Sequence, residues 1–548
     1  MHEDLPIVVV GGGIAGITAA LTLSEGGLPV LLLEKNPRSL GGRVAAYPAT
    51  HFVHQGRSFT FSVEHGMHGW WRQYRNFWAL LERQGLSARM IAAYDQALLF
   101  DDGKAVYRTN VGRETQVTRV PEPFHHVRLL AKENLRRLIR TDELPLLANL
   151  ATKVLEAICF DPYDAKHREK YDALSVADYL RGVPFFFQAF LRSLTRSGFF
   201  SDPQHVSLWA FLLSLQLYVF LRREDQCFSF PRGPVVPTLL EPLAARIAAR
   251  GGRLVRGVSV ERVERAPGGG WTLAWKRTGA DAPTVQGDPA PELGGYSGTL
   301  RARAVVLAVD VEGAKALRQR SPDLVAPLGD LSAFRGRPST VVRLFFGAAP
   351  SLEYGESGVF SGRATVDNFF WLHRFQDEFA AFHAETGGSV LEGHIYAPER
   401  LHALPDAELF ARVERDVERA FPEVAGSCLH RTIVRNEATH INFPVGSARS
   451  FPKVVTAQPD LVLCGDWIDG GAPVLYMERA CQTALVAANA LLARAGLPET
   501  EVLFPSPPPA HLRAFQKALR RVDRHLPGLW PTRPRRGSAA EAAEEDER

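Results

Sequence analysis

Cysteine is scarce and scattered in this chain. Cys159, Cys227, Cys428, Cys464 and Cys481 include no C-x-x-C pair. That argues against a disulfide framework and a cysteine zinc site, and no metal is expected. Long apolar runs are missing too. A membrane-spanning helix needs about 20 apolar residues. The nearest stretch, Val206 to Leu221, is interrupted by Ser207, Ser214 and Gln216 and reads as a buried or interfacial helix. No basic leader or small-residue cleavage site precedes the first apolar strand, so the expected location is the cytoplasm. Neither sign of charge dominates: Lys+Arg 64 against Asp+Glu 60 gives +4, too weak to mark a nucleic-acid partner. No internal repeat is found. What remains is a globular composition, 46% hydrophobic and 23% charged over 548 residues, enough for several domains.

The chain opens as a βαβ unit. Leu5 to Val10 is an apolar strand, Gly11 to Gly16 a turn, and the Ala/Leu-rich stretch to Glu25 a helix. Gly26 and Gly27 stop it, and Pro29 to Leu33 forms a second strand ending at Glu34. Further pieces of the same layer lie far downstream: a helix over Leu239 to Arg250 with a strand Arg253 to Val258, a strand Ala304 to Val309, and a strand Leu461 to Cys464 followed by a helix Leu475 to Ala493. Strands alternating with helices predict a parallel sheet covered on both sides.

Gly11-Gly12-Gly13-Ile14-Ala15-Gly16 fits G-x-G-x-x-G. Gly11 permits the tight turn, Gly13 lets backbone approach a pyrophosphate, and Gly16 lets helix and strand pack closely. The free N–H groups at Ile14 and Ala15 would face the phosphates. Glu34, beside Lys35, stands where an acid takes ribose hydroxyls, about 20 residues past the fingerprint. Gly41-Gly42-Arg43 adds a flexible loop and a cation. Far downstream, Gly465-Asp466 ends a strand, and Pro473-Val474 leads to a helix beginning near Tyr476-Met477. That combination suits a carboxylate on a ribityl chain and a helix dipole beside a flavin, so FAD is the expected cofactor. No second G-x-G-x-x-G follows a strand. The electron acceptor is then oxygen, a quinone or another carrier.

These motifs resemble those of the flavin amine oxidase and carotenoid desaturase superfamily. The resemblance covers both chain ends and residues 230–265, where Pro231-Arg232-Gly233 and the stretch around Val260 are similar to the segment that meets adenine. Glu64-His65-Gly66-Met67-His68-Gly69-Trp70-Trp71-Arg72-Gln73-Tyr74, with Asn76, resembles the desaturase block. Met477-Glu478-Arg479-Ala480 is most similar to carotenoid ring desaturase/methyltransferases of the isorenieratene synthase type, and also resembles plant-type phytoene and zeta-carotene desaturases. Cys481-Gln482 stands where the latter have Ser-Gly, and Trp70-Trp71 is bulkier than usual.

The resemblance implies an α/β architecture: a discontinuous Rossmann-like FAD-binding domain (1–60, 230–314 and 456–495) with a mixed α+β substrate domain (61–229 and 315–455). It implies desaturation of a lipophilic polyene, a carotenoid or its ring, by hydride transfer to flavin N5 and proton loss. His65, His68, Arg72 and Tyr74 are the expected catalytic residues, with His373, Glu392, His394 and His440 as weaker candidates. The expected aromatic tunnel uses Trp70, Trp71, Phe185, Phe186, Phe187, Phe199, Trp209, Phe369, Phe370 and Trp371. Two alternatives stay open. An amine oxidase is one, although many of that branch keep a lysine in the substrate-domain sheet and none lies between Lys315 and Lys453; Arg343 is the only basic residue in the strand Val341 to Phe346. A non-catalytic flavin- or lipid-binding protein is the other.

The last stretch, 496–548, reads as a Pro-rich linker, a basic amphipathic helix and a disordered acidic end, Glu541 to Arg548. In that helix Leu512, Phe515, Leu519, Val522 and Leu526 make an apolar stripe opposite Arg513, Lys517, Arg520, Arg521 and Arg524. It is expected to lie apart from the globular body and to dock peripherally on a membrane surface.

Overall fold

The computed structural model describes residues 5–93, 95–126, 137–223, 228–279, 281 and 283–526. The acidic end expected to be disordered lies outside the described residues. The elements used below are, in chain order, β1 (Ile7–Val10), α1 (Ile14–Glu25), β2 (Val30–Glu34), α2 (Leu146–Cys159), β3 (Arg253–Arg256), β4 (Ala304–Leu307), β5 (Gly336–Phe346), β6 (Ser389–Ile395), β7 (Leu461–Leu463), α3 (Tyr476–Arg494) and α4 (Ala510–His525).

The architecture is α/β. β1 is apolar at every position because it is buried on both faces, as a central parallel strand must be. It pairs in parallel with β2 (Val8↔Leu31) and with β4 (Val8↔Val305), and β4 pairs in parallel with β7 (Val306↔Val462). The sheet order is β3-β2-β1-β4-β7, with the short antiparallel strand Thr284–Gln286 at the β3 edge. α1 lies close to this sheet because two glycines allow it. A Cβ at Gly16 would sit 1.9 Å from the Gly11 carbonyl oxygen, and Gly11 itself adopts φ +108°, with its own Cβ direction 2.5 Å from the Ala308 carbonyl oxygen.

The expected strand Arg253 to Val258 is two strands. Gly257, at φ +82°, turns the chain out of the parallel sheet. Val258–Arg265 then begins an antiparallel sheet with Trp271–Arg277 and Ser297–Ala302.

A second, seven-stranded sheet stands opposite. β5, second from one edge, is antiparallel to both β6 and the edge strand Cys428–Ile441. Gln96–Asp101 joins it in parallel through Ser357–Gly362, so residues from both stretches of the expected substrate domain share one sheet. Val342, Leu344, Phe346, Leu391 and Trp371 form a core on one face of this sheet with the helix Asp406–Ala420.

Among the described residues no helix is long and apolar enough to cross a membrane. The stretch Val206 to Leu221 is a helix, Leu208–Leu215, ending in a π-turn, and most of it is buried. Gln216 explains why: its side-chain amide donates to the carbonyls of Ala157 (2.8 Å) and Phe160 (2.7 Å) at the end of α2. The carbonyls at a helix C-terminus have no intrahelical donor and need one.

The same need corrects the expectation for α4, which packs on the body instead of lying apart. Leu512 is fully buried, Gln516 donates to the Ile158 carbonyl (3.0 Å), and Arg520 donates to those of Cys159 and Phe160 (2.9 Å each). The Pro-rich linker is tied down as well. Asn76 exchanges two hydrogen bonds with the Leu503 backbone (2.7 and 2.8 Å), and Arg75 donates to the Phe504 carbonyl (2.6 Å).

Candidate active site

A cavity of ≈1070 Å³ opens at the carboxyl ends of β1, β2 and β4 and continues to the wall made by β5 and β6. Ligands of parallel α/β sheets bind at that end of the strands. Gly11, Gly12, Gly13, Ile14 and Ala15 line it. Gly13 caps α1 without any side-chain hydrogen bond, leaving the first-turn N–H groups directed at the cavity. Glu34 is buried beneath the turn. One of its oxygens accepts the Gly12 N–H (2.7 Å) and the other the Asn36 N–H (2.7 Å). Burial raises its pKa in spite of those two donors. Val260, Lys35 and Gly42 also line the cavity. Arg43 and Asp466, 423 residues apart in sequence, meet there in a bidentate pair (2.7 and 2.5 Å). Gly465, at φ +145°, donates its N–H to Thr483 Oγ1 (2.9 Å), which fixes Asp466 against α3.

The other half of the cavity is aromatic. Trp71 stacks on Tyr218 (centroids 4.6 Å apart), Tyr218 on Tyr476 (5.7 Å), and Phe200 lies flat against His440 (3.7 Å, 7° between planes). His65, His68, His394 and His440 share this wall. Burial is the main cause that pushes His65 and His440 well below the usual imidazole value and His68 down to about 4. These three are therefore neutral at physiological pH. Behind them β5 and β6 pair Arg343 with Glu392 directly across the ladder. Glu392 accepts from Arg343 Nε, from the Met67 N–H (2.5 Å) and from His394 Nε2 (2.7 Å). Burial disfavours its charge, but Arg343 and these donors outweigh burial and hold its carboxyl well below the usual range.

The residues present fit a flavin dinucleotide. A Cβ on Gly13 would point into open cavity, its nearest neighbour the Gly41 carbonyl oxygen at 3.7 Å, and one on Gly42 would meet nothing within 4 Å. Bare backbone, uncapped helix N–H groups and a buried acid suit a pyrophosphate and a ribose. Residues 14–492 match the family described as flavin containing amine oxidoreductase. The chain belongs to that family. As a flavin amine oxidoreductase it is an FAD-dependent oxidoreductase. It is similar to the carotenoid phi-ring synthase of Streptomyces griseus, 29% identical over 518 residues (90% of this chain, 89% of the relative). It is also similar to the carotenoid phi-ring synthase of Chlorobaculum tepidum, 24% identical over 597 residues (89% of each). Among solved structures it shares its fold with cyclohexylamine oxidase from Brevibacterium oxydans IH-35A: 16% identity, TM-score 0.62, covering 90% of this chain and 100% of that one.

This flavin amine oxidoreductase brings most of the sequence-predicted site residues to one cavity, and leaves some out. His65, His68, Tyr74 and Met477 line it. Arg72 does not: its side chain is exposed and borders a separate surface depression with Arg75 and Arg222, because the chain turns outward after Trp71. Pro473 and Val474 are buried behind the cavity wall, and Gly16 acts by packing. Of the expected aromatic tunnel, Trp71 and Phe370 reach the cavity. Trp70, Phe186, Phe199, Trp209, Phe369 and Trp371 are core, and Phe185 is exposed. His373 is buried beside Trp371 and His383 instead of facing the site. Sequence reasoning missed Phe200, Tyr218, Phe228 and Tyr396. An aromatic-rich composition signals such residues, but nothing local says which way each one points.

Proposed function

We propose that this flavoenzyme desaturates a lipophilic polyene, a carotenoid, at its end ring. The observation that carries the reading is the aromatic, lysine-free wall from Trp71 to Phe200, continuous with the dinucleotide half of the cavity. Long apolar substrates are bound by buried aromatic area. Similarity to carotenoid phi-ring synthases along nine-tenths of the chain supports it. The FAD-binding domain is 1–60, 230–314 and 456–495, and the substrate domain is 61–229 and 315–455. Gly11, Gly13, Ile14 and Ala15 would hold the pyrophosphate, Glu34 and Lys35 the ribose end, and Val260 the adenine. Gly42, Arg43, Gly465, Asp466 and Met477 would hold the ribityl and ring end. When bound, FAD supplies the acceptor for a hydride from the substrate. His65, His68 and Tyr74 keep the adjoining wall uncharged and exclude water from it. The electron acceptor is oxygen or a quinone. The enzyme meets the membrane that stores its substrate through the outward face of α4, where Arg513, Lys517, Arg521 and Arg524 are exposed.

Expression in carotenoid-accumulating cells, with pigment analysis, tests this reading. New pigments of longer conjugation or aromatic ring character are expected. Hydrogen peroxide from simple amines, with carotenoids left unchanged, would overturn it.

A further inference from the structure

Tyr396 stands at the end of a hydrogen-bonded chain that the activity so far described does not use. Its hydroxyl is 2.6 Å from His394 Nδ1, and His394 Nε2 is 2.7 Å from Glu392 Oε1. Glu392 in turn is held by Arg343 and by the Met67 N–H. His394 and Tyr396, two residues apart where β6 ends, both line the cavity wall. Phe200 packs edge-on against the Tyr396 ring, with centroids 4.4 Å apart, and the Asn368 amide lies 3.4 Å from its hydroxyl.

The tautomer follows from the partners. A carboxylate that already accepts from Arg343 and Met67 can only accept from His394, so Nε2 carries the imidazole proton. Nδ1 is then the acceptor, and the Tyr396 hydroxyl is the donor to it. A hydroxyl whose proton is taken by a carboxylate-backed imidazole is the arrangement that activates an oxygen for proton transfer. Among the described residues His394 is the one histidine of this wall placed against a carboxylate. His68 Nδ1 lies 2.6 Å from the Gly66 carbonyl instead, and His440 Nε2 has no hydrogen-bond partner.

We propose that Tyr396 is the catalytic proton acceptor of the ring oxidation, with His394 taking the tyrosine's own proton and Glu392 and Arg343 acting as positioning residues. The inference rests on the ring-desaturation reading above. After hydride has left the ring, a C–H bond next to the cationic carbon breaks and its electron pair becomes the new C=C bond. The released proton goes to Tyr396 Oη while the original hydroxyl proton passes to His394 Nδ1. The charge then sits on an imidazolium facing Glu392, and the relay resets by losing one proton to solvent. No further oxidant is needed.

Two measurements on FAD-loaded protein test this. The first is nitrogen-15 NMR of histidine-labelled enzyme. His394 is expected as the Nε2–H tautomer, and Glu392→Gln is expected to change that signal. The second is single-turnover conversion of a ring-bearing carotenoid in detergent, in H₂O and D₂O. Tyr396→Phe removes only a hydroxyl and is expected to keep wild-type flavin content. It should slow product formation about 100-fold or more, in line with general acid–base contributions, and abolish the wild-type solvent isotope effect. An Nδ1–H tautomer, or a Tyr396→Phe enzyme within twofold of wild type with its isotope effect intact, overturns the relay alone. A wild-type enzyme that leaves carotenoids unchanged overturns the ring-oxidation reading and removes the proton's source with it.

Discussion

Gly13→Ala separates a cofactor role for the glycine turn from a purely structural one. Gly13 has φ −77° and ψ −178°, which alanine adopts freely. The added methyl would meet only the Gly41 carbonyl oxygen, at 3.7 Å. Alanine is a poorer N-cap than glycine by about 0.5–1 kcal/mol, and the stiffer unfolded chain returns about 0.4–1 kcal/mol. The apoprotein should therefore change in stability by less than about 1 kcal/mol. Cofactor affinity is another matter if Gly13 has the proposed role, since the methyl would then stand where the pyrophosphate lies against bare backbone. Loss of two charge-assisted hydrogen bonds, at about 1.5–3 kcal/mol each, weakens FAD by about 3–6 kcal/mol. That is about 10²- to 10⁴-fold. Apoprotein melting and FAD titration, followed by flavin fluorescence, give the two numbers separately. They must be separate, because bound cofactor itself raises the melting temperature. Gly16→Ala is the contrast: its methyl falls 1.9 Å from the Gly11 carbonyl oxygen, so it should destabilise the apoprotein outright. A Gly13→Ala protein that binds FAD with wild-type affinity would refute the reasoning.

Three further outcomes are expected. Gly66 has φ +144°, and a Cβ there would lie 3.1 Å from both His394 Cε1 and Val341 Cγ2. Gly66→Ala should cost about 1–3 kcal/mol in chemical denaturation and displace His394, lowering turnover with FAD still bound. Burial raises Glu64 from 4.5 to about 7, so between those values the folded chain keeps a proton that the unfolded chain releases. Its stability contribution is full below pH 4.5 and is lost as pH rises through 7, and Glu64→Gln should flatten that fall by up to about 3 kcal/mol in melts run across the range. Replacing Arg513, Lys517, Arg521 and Arg524 by Gln should abolish salt-sensitive sedimentation with anionic vesicles, at about 1 kcal/mol per cation, and leave the melting temperature unchanged.

The locally written parts of the fold are legible in the amino-acid sequence alone. β1, its glycine turn, α1 and Glu34 form one contiguous signal, and Gly465-Asp466 before α3 is another. The ladder behind the histidines is not legible as a unit. Arg343 and Glu392 become partners only through the register of β5 with β6, which no short motif encodes. Arg72 fails for the opposite reason: it belongs to a readable block, but a strand of two residues ends at Trp71 and side-chain alternation stops there. α4 shows the limit of amphipathicity. An apolar stripe fits a lipid surface or a protein groove equally well, and Gln516 and Arg520, which decide for the groove, look like ordinary polar positions in sequence.

The Arg43–Asp466 pair has a consequence for how the enzyme is made. The two side chains come from opposite ends of the chain, and the parallel sheet beneath them is completed only by β7. A ribosome has released β1, α1 and β2 long before it reaches Asp466, so the early strands wait with their apolar faces uncovered. A complete FAD site must therefore wait until β7 and Asp466 have been made. Flavin supply then acts on a late step of assembly, after both ends of the parallel sheet have been brought together.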